Sequence, residues 1–149
     1  MIHTASTATN AVFIELLGHK SDVIKVLIIG NNPSEIATIY NNLRESREKY
    51  YMVEVCFDLK DGLARMNKIK PDVVLMDDNL DYNATRKMIK DIKKHSRLQD
   101  TQIILMKSSN WNYNVIDDVE DYLLKESINA QLLDVTISNN VGRARSILV

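Results

Sequence analysis

The sequence predicts an α/β fold, a parallel sheet with helices on both faces. Three observations predict it. Short apolar runs rich in β-branched residues recur along the chain, among them Val26-Leu27-Ile28-Ile29 and Val73-Val74-Leu75-Met76. Runs of this kind read as strands buried on both faces. Segments with apolar residues at helical spacing separate them. The runs end in polar residues, Asp77 above all, at the edge where open α/β sheets bind their ligands.

Residues 1 to about 7 are small and polar, and read as disordered or as an arm. Thr9 or Asn10 caps a short extra N-terminal helix over 9–17, with Val12, Phe13, Leu16 and Leu17 as its apolar stripe and Gly18 as its stop. The first strand covers about 24–29. Pro33-Ser34-Glu35 opens a helix whose Ile36, Ile39, Tyr40 and Leu43 share one face. Tyr51 to Phe57 is the second strand, and Asp58 to Lys68 the second helix of the repeating pattern. The third strand ends at Asp77, and a helix over about 84–95 carries Met88, Ile89 and Ile92 inward. Ile103 to Met106 and Tyr122 to Leu124 are the last two strands. Ser127 is the expected cap of a closing helix, which the tail from Asn139 to Val149 either extends or leaves in order to dock on a partner. The division is an arm and helix over 1–20, then one domain over 21–149.

The bulk numbers narrow the function. A chain of 149 residues, 45% hydrophobic and 26% charged, fits one folded domain. Its net charge of −1 argues against a broad phosphate-binding surface, so no nucleic acid is expected. The densest basic stretch, Lys87 to Arg97, is broken by Asp91 and reads as a solvated helix face. Cys56 is a lone cysteine inside an apolar run, which fits a reducing cytoplasm. No stretch reaches the roughly 18 apolar residues of a membrane span, and no signal-peptide order opens the chain. His3, His19 and His95 match no metal-ligand spacing. Gly30-Asn31-Asn32-Pro33 is too poor in glycine for a dinucleotide loop, and a poor flavin-phosphate loop.

Two segments taken together, Pro71-Asp-Val-Val-Leu-Met-Asp77 and Asp121-Tyr-Leu-Leu-Lys125, at this spacing and with Lys25-Val-Leu-Ile-Ile and Ile103-Ile-Leu-Met, resemble the receiver domain of bacterial two-component response regulators. The match runs from about 24 to about 138. The resemblance implies a five-stranded flavodoxin-like sheet of order 2-1-3-4-5. It also implies roles: Asp77 as the phospho-acceptor position, Lys125 as the lysine that contacts the phosphoryl group, Tyr122 as the aromatic switch position, and Asn79 as the residue whose carbonyl binds magnesium. Gly30 and Asn31 fall where two acids normally hold Mg²⁺, and Lys107 where Thr or Ser normally receives the phosphoryl group.

The departures from that pattern shape the functional expectation. In the family, three carboxylates face one lysine and a Mg²⁺ ion cancels the excess. Here the same positions hold one carboxylate and two lysines, so the demand for a hard dication is gone. Asp78 is a candidate substitute acid, but strand alternation sends its side chain to the opposite face. The expected site is therefore a pocket closed by salt bridges from Lys107 and Lys125 to Asp77, with a lowered Asp77 pKa. Between Lys107 and Tyr122 the chain is about one helical turn shorter than the family pattern implies, so the fourth helix is expected to be short or missing. Trp111 and Tyr113 either plug that gap or form an exposed patch.

Three readings follow. The first is a stand-alone receiver-like module, not an enzyme, that signals by protein contact with weak or no Mg²⁺-dependent phosphorylation and has no cofactor. The second is a phospho-acceptor receiver, Mg²⁺-dependent and phosphorylated at Asp77 by a histidine kinase or phosphotransfer protein. The third is an adaptor whose N-terminal helix swaps or makes a homodimer.

Overall fold

The structure, a computed structural model, describes residues 23–108, 116 and 118–148; the expected helix over 9–17 lies outside them. Its elements are β1 (Val23–Ile29), α1 (Pro33–Arg44), β2 (Tyr50–Cys56), α2 (Leu59–Ile69), β3 (Val73–Asp77), α3 (Tyr82–Lys94), β4 (Gln102–Lys107), β5 (Asp121–Leu124) and α4 (Ala130–Leu148). The five strands form one parallel sheet in the order β2-β1-β3-β4-β5, as expected. Among the described residues no helix lies between β4 and β5.

An Asx residue starts each helix, because its side-chain oxygen accepts from the unpaired N–H groups of the first turn. Asn32 accepts from Ser34 and Glu35, Asp58 from Asp61, Asp81 from Ala84, and Asn129 from Leu132. The cap of the closing helix is thus Asn129. Ser127, the expected cap, lies in a 3₁₀ turn over Lys125–Ser127, which the short polar run after β5 favours over an immediate helix. The tail continues α4 to Leu148.

Strand alternation divides the core in two. Val26, Ile28, Val73, Leu75, Ile104, Met106 and Leu123 face α1 and α4. Leu27, Ile29, Val74, Met76, Ile103 and Leu105 face α2 and α3. β3 is central and buried along its whole length, so its last residue carries a carboxylate out of an apolar layer. Polar ties hold the periphery. Asp134 of α4 accepts from Tyr51 at 2.7 Å and Ser46 at 2.9 Å, and the Tyr51 phenol is pushed upward in pKa by burial, then by Asp134. Lys93 pairs with Glu120, whose other oxygen accepts from the Ile103 amide.

Candidate functional site

Register decides which polar groups meet at the carboxyl edge of the sheet. Asp77 continues the face of Val73 and Leu75 and lies beside Met106, which in turn lies beside Leu123. It therefore points to the α1/α4 side. Lys125 opens the 3₁₀ turn just past β5, and its side chain reaches Asp77. Its ammonium is 2.5 Å from Asp77 Oδ1, 2.8 Å from Asp78 Oδ1 and 3.4 Å from Glu35 Oε2. The contact to Asp78 is an ion pair outside hydrogen-bonding angles. The Asp77 and Asp78 side chains are each 2% exposed, and that of Lys125 16%.

Hydrogen bonds hold several of the remaining polar atoms, whereas Glu35 Oε2 and Asp78 Oδ1 accept none. Asp77 Oδ1 accepts from the Asn79 amide at 2.9 Å. Asp78 Oδ2 accepts from the Ser108 amide at 2.8 Å and its hydroxyl at 2.9 Å, tying the loop after β3 to the loop after β4. The Asn31 side chain donates to the Asn79 carbonyl at 3.2 Å. Gly30 lies against Asp77: a Cβ at Gly30 would come 3.2 Å from Asp77 Cβ and 3.3 Å from Oδ2. A cleft of about 170 Å³ reaches Asp77 between α1 and the β5–α4 connection, walled by Ile36, Ile39, Met106 and Ile128, with Glu35 and Lys125 at its polar end.

Electrostatics follow burial first. Desolvation raises the Asp77 pKa, and the contacts with Lys125 and the Asn79 amide only partly oppose it. Asp78 meets the same desolvation, but the ion pair with Lys125 and the hydrogen bonds from Ser108 outweigh it and lower its pKa. Lys125 is raised, because its two carboxylates outweigh its own burial.

These positions occur on a fold known from solved structures. No protein-family profile and no curated protein sequence matches the chain. A response regulator receiver domain protein from Clostridium thermocellum superposes with a TM-score of 0.71 at 20% identity, over 85% of this chain and 99% of that one. The receiver domain of a sensor histidine kinase from Pseudomonas aeruginosa PAO1, solved with a magnesium ion in its active-site cleft, gives 0.68 at 18% identity over 80% and 98%. The chemotaxis response regulator CheY4 of Vibrio cholerae gives 0.65 at 20% identity over 79% and 98%. This is the receiver-domain fold.

On the receiver fold, three expectations need correction. Lys107 makes no ion pair with Asp77; its ammonium lies 5.2 Å from the centre of the Tyr122 ring. It is one residue past Met106, so alternation turns it to the α2/α3 side. Asp78 does not point away. The strand ends at Asp77 and a turn begins, so alternation no longer governs the next residue. The Asp77 pKa is raised, not lowered, because burial outweighs the ion pair. The charge count changes with them: among the described residues, three carboxylates, Asp77, Asp78 and Glu35, face the one ammonium of Lys125, the same excess of negative charge as in the family pattern.

Tyr122 faces inward on the α2/α3 side, where its hydroxyl accepts from the Ile116 amide at 3.1 Å and donates to the Ile116 carbonyl at 3.2 Å. Trp111 and Tyr113 lie outside the described residues. Sequence reasoning missed Glu35 and Ser108 altogether. Glu35 had a signal, since the first turn of α1 opens beside the acceptor edge. Ser108 had one too, being the next residue after β4.

Proposed function

We propose that this chain is a receiver-type module of bacterial two-component signalling that works by protein contact, with Asp77 held as an ion-pair partner and weak or no Mg²⁺-dependent phosphorylation. The observation that carries this reading is the direct contact of the Lys125 ammonium with Asp77 and Asp78, at 2.5 and 2.8 Å, which ties the acceptor carboxylate into an ion pair. Lys125 competes with a Mg²⁺ ion for this cluster, where Glu35 Oε2 and Asp78 Oδ1 accept no hydrogen bond and several other oxygens are already held. The Asn79 carbonyl accepts from Asn31, Asp78 Oδ2 is held by Ser108, and Asp77 Oδ1 is held by Lys125 and the Asn79 amide. Gly30 and Asn31 supply no acid. The module has no chemistry of its own in this reading. It acts in the cytoplasm, in keeping with its one buried cysteine, and its partner is a histidine kinase, a phosphotransfer protein or a second copy. No helix among the described residues is long and apolar enough to cross a membrane.

A second reading rests on the cleft that reaches Asp77, which leaves a path for a phosphoryl donor. In that reading a histidine kinase phosphorylates Asp77 and Mg²⁺ is required. Incubation with a small phosphodonor, with and without Mg²⁺, followed by intact-mass measurement, separates the two. The first reading expects little label and no Mg²⁺ dependence. Mg²⁺-dependent label that vanishes in Asp77→Asn would replace it with the second.

A further inference from the structure

The two helical layers differ in charge. α2 and α3 pack side by side over one face of the sheet, with Met66, Met88, Ile89 and Ile92 turned inward. Over 59–70, Lys60, Arg65, Lys68 and Lys70 stand against Asp61 alone; over 82–97, Arg86, Lys87, Lys90, Lys93, Lys94 and Arg97 stand against Asp91 alone. The excess is three positive charges on the first stretch and five on the second, in a chain whose net charge is −1. On the other face, α1 sets Glu35 against Arg44, and α4 sets Asp134 against Arg143 and Arg145, an excess of one. Arg65 pairs with Glu54 and Lys93 with Glu120. The other eight cations of the basic layer are exposed and make no ion pair among the described residues. Four of them, Arg86, Lys87, Lys90 and Lys94, share the outward side of α3 over about 12 Å of helix, opposite its buried Met88, Ile89 and Ile92.

Like charges at helical spacing repel one another, and an anionic partner relieves that repulsion. The surroundings select the kind of anion. Exposed Asp58 and Asp81, at the starts of α2 and α3, bound the basic layer at the carboxyl edge of the sheet, and exposed Asp100 lies at the opposite edge. A nucleic acid or a lipid plane that runs past the layer meets these acids, whereas a compact acidic segment lies between them. The outward side of α3 also carries no large apolar side chain to insert into a membrane. We propose that the outward face of α2 and α3 docks an acidic helical segment of a partner protein, whose Glu or Asp residues repeat every three or four positions and face Lys87, Lys90 and Lys94. The spacing of carboxylates along such a helix matches the spacing of these lysines along α3. The surface lies across the sheet from the cleft at Asp77 and needs no change there.

The test uses the full chain and three probes: an Ala-based helical peptide of about 16 residues with Glu along one side, a DNA duplex of about 24 base pairs, and vesicles one-third phosphatidylserine. The peptide should bind more tightly than the duplex or the vesicles at about 0.15 M salt, and more weakly as salt rises. Lys87→Glu with Lys90→Glu and Lys94→Glu should weaken peptide binding about tenfold, because three exposed pairs are reversed. All three side chains are exposed, so the variant should keep the wild-type circular dichroism spectrum. The neutral triple Lys87→Gln, Lys90→Gln and Lys94→Gln should weaken binding about threefold and stands in if the reversed one does not fold. Arg47→Glu, exposed between α1 and β2, should change binding less than about twofold. That pattern supports the proposal. It is overturned if the peptide does not bind at millimolar concentration, if both triples bind it like the wild type, or if Arg47→Glu loses as much as they do. Tighter binding of the duplex or the vesicles also overturns it, as does self-association of the chain that the triples abolish, which would make a second copy the occupant.

Discussion

Two lysines stand at the carboxyl edge of neighbouring strands and lead different lives. Lys125, just past β5, sits among Asp77, Asp78 and Glu35. Lys107, the last residue of β4, lies over the Tyr122 ring. Both belong to the same edge, and counting charges by position assigns both to one pocket. The pleat separates them: Lys125 shares the side of Asp77 and Leu123, while Lys107 shares the side of Leu105 and Tyr122. One corner is a buried ionic cluster, where charges compensate one another at the cost of desolvation. The other is a cation on an aromatic face, where less is gained and less is at stake. A charge at a strand end has meaning only once its face is known.

The largest effect should come from emptying the ionic corner. Lys125→Met leaves Asp77 and Asp78 buried together without their cation, and should cost about 3–5 kcal/mol at pH 7, read by urea unfolding. The pH dependence has a definite sign. Lys125 has its pKa raised on folding, so its stabilisation is whole below its ordinary 10.5 and is lost as pH rises beyond it. The wild type should therefore lose stability above about pH 10.5 in a component that Lys125→Met lacks. Tyr51, also raised, adds a loss of the same sign to both proteins and cancels in the difference. On the acid side, protonating the carboxylates relieves the variant, so the gap should narrow below about pH 4. A gap that stays constant with pH would mean that Lys125 serves only as packing.

Asp78→Ala should come next, at about 2 kcal/mol by the same measurement, since it removes a carboxylate that holds Lys125 and leaves the Ser108 donors unpaired. Asp77→Asn should cost less, because Asp77 is the carboxylate for which burial already disfavours the charge. Carboxyl chemical shifts should show the pair titrating in two steps, one above and one below the ordinary aspartate value. The stability terms oppose each other. Asp77, raised, favours folding at low pH and loses that contribution as pH rises from 3.8. Asp78, lowered, contributes above 3.8 and loses its share as pH falls. If Asp77→Asn proves the costlier variant, the order of the two carboxylates is reversed.

The sheet was legible in the sequence because its strands are apolar runs bounded by polar residues, and the strand order followed from the resemblance carried by Asp77 and Lys125. Boundaries shifted by a residue or two where Gln102 and Lys107 extend β4 and where Asn129 rather than Ser127 caps α4. The candidate site was half legible. Lys125 was named for Asp77, and the structure sets its ammonium 2.5 Å away. Asp78 was misplaced because alternation was extended one residue past the end of β3. Lys107 was misplaced for the opposite reason, because alternation was not applied where it still held. Replacing Gly30 and Asn31 by Asp and Lys107 by Thr does not recreate the family's pocket by charge alone. Lys107 is not in the cluster, and a side chain at Gly30 crowds Asp77.

The smallest effect tests the separation most directly. Lys107→Met keeps an unbranched apolar stem over the Tyr122 ring and removes only the cation, so it should cost about 0.5–1 kcal/mol. Because Lys107 makes no ion pair with Asp77 and faces the other side of the sheet, the variant should leave the two-step titration of Asp77 and Asp78 where it was. Lys125→Met should move it. Carboxyl titrations of the two variants set side by side decide the matter. Equal displacement in both would mean that the two lysines act on one field, as counting by position assumed. Displacement in Lys125→Met alone means that the pleat, by turning one residue in two away, keeps the ionic corner to a single cation.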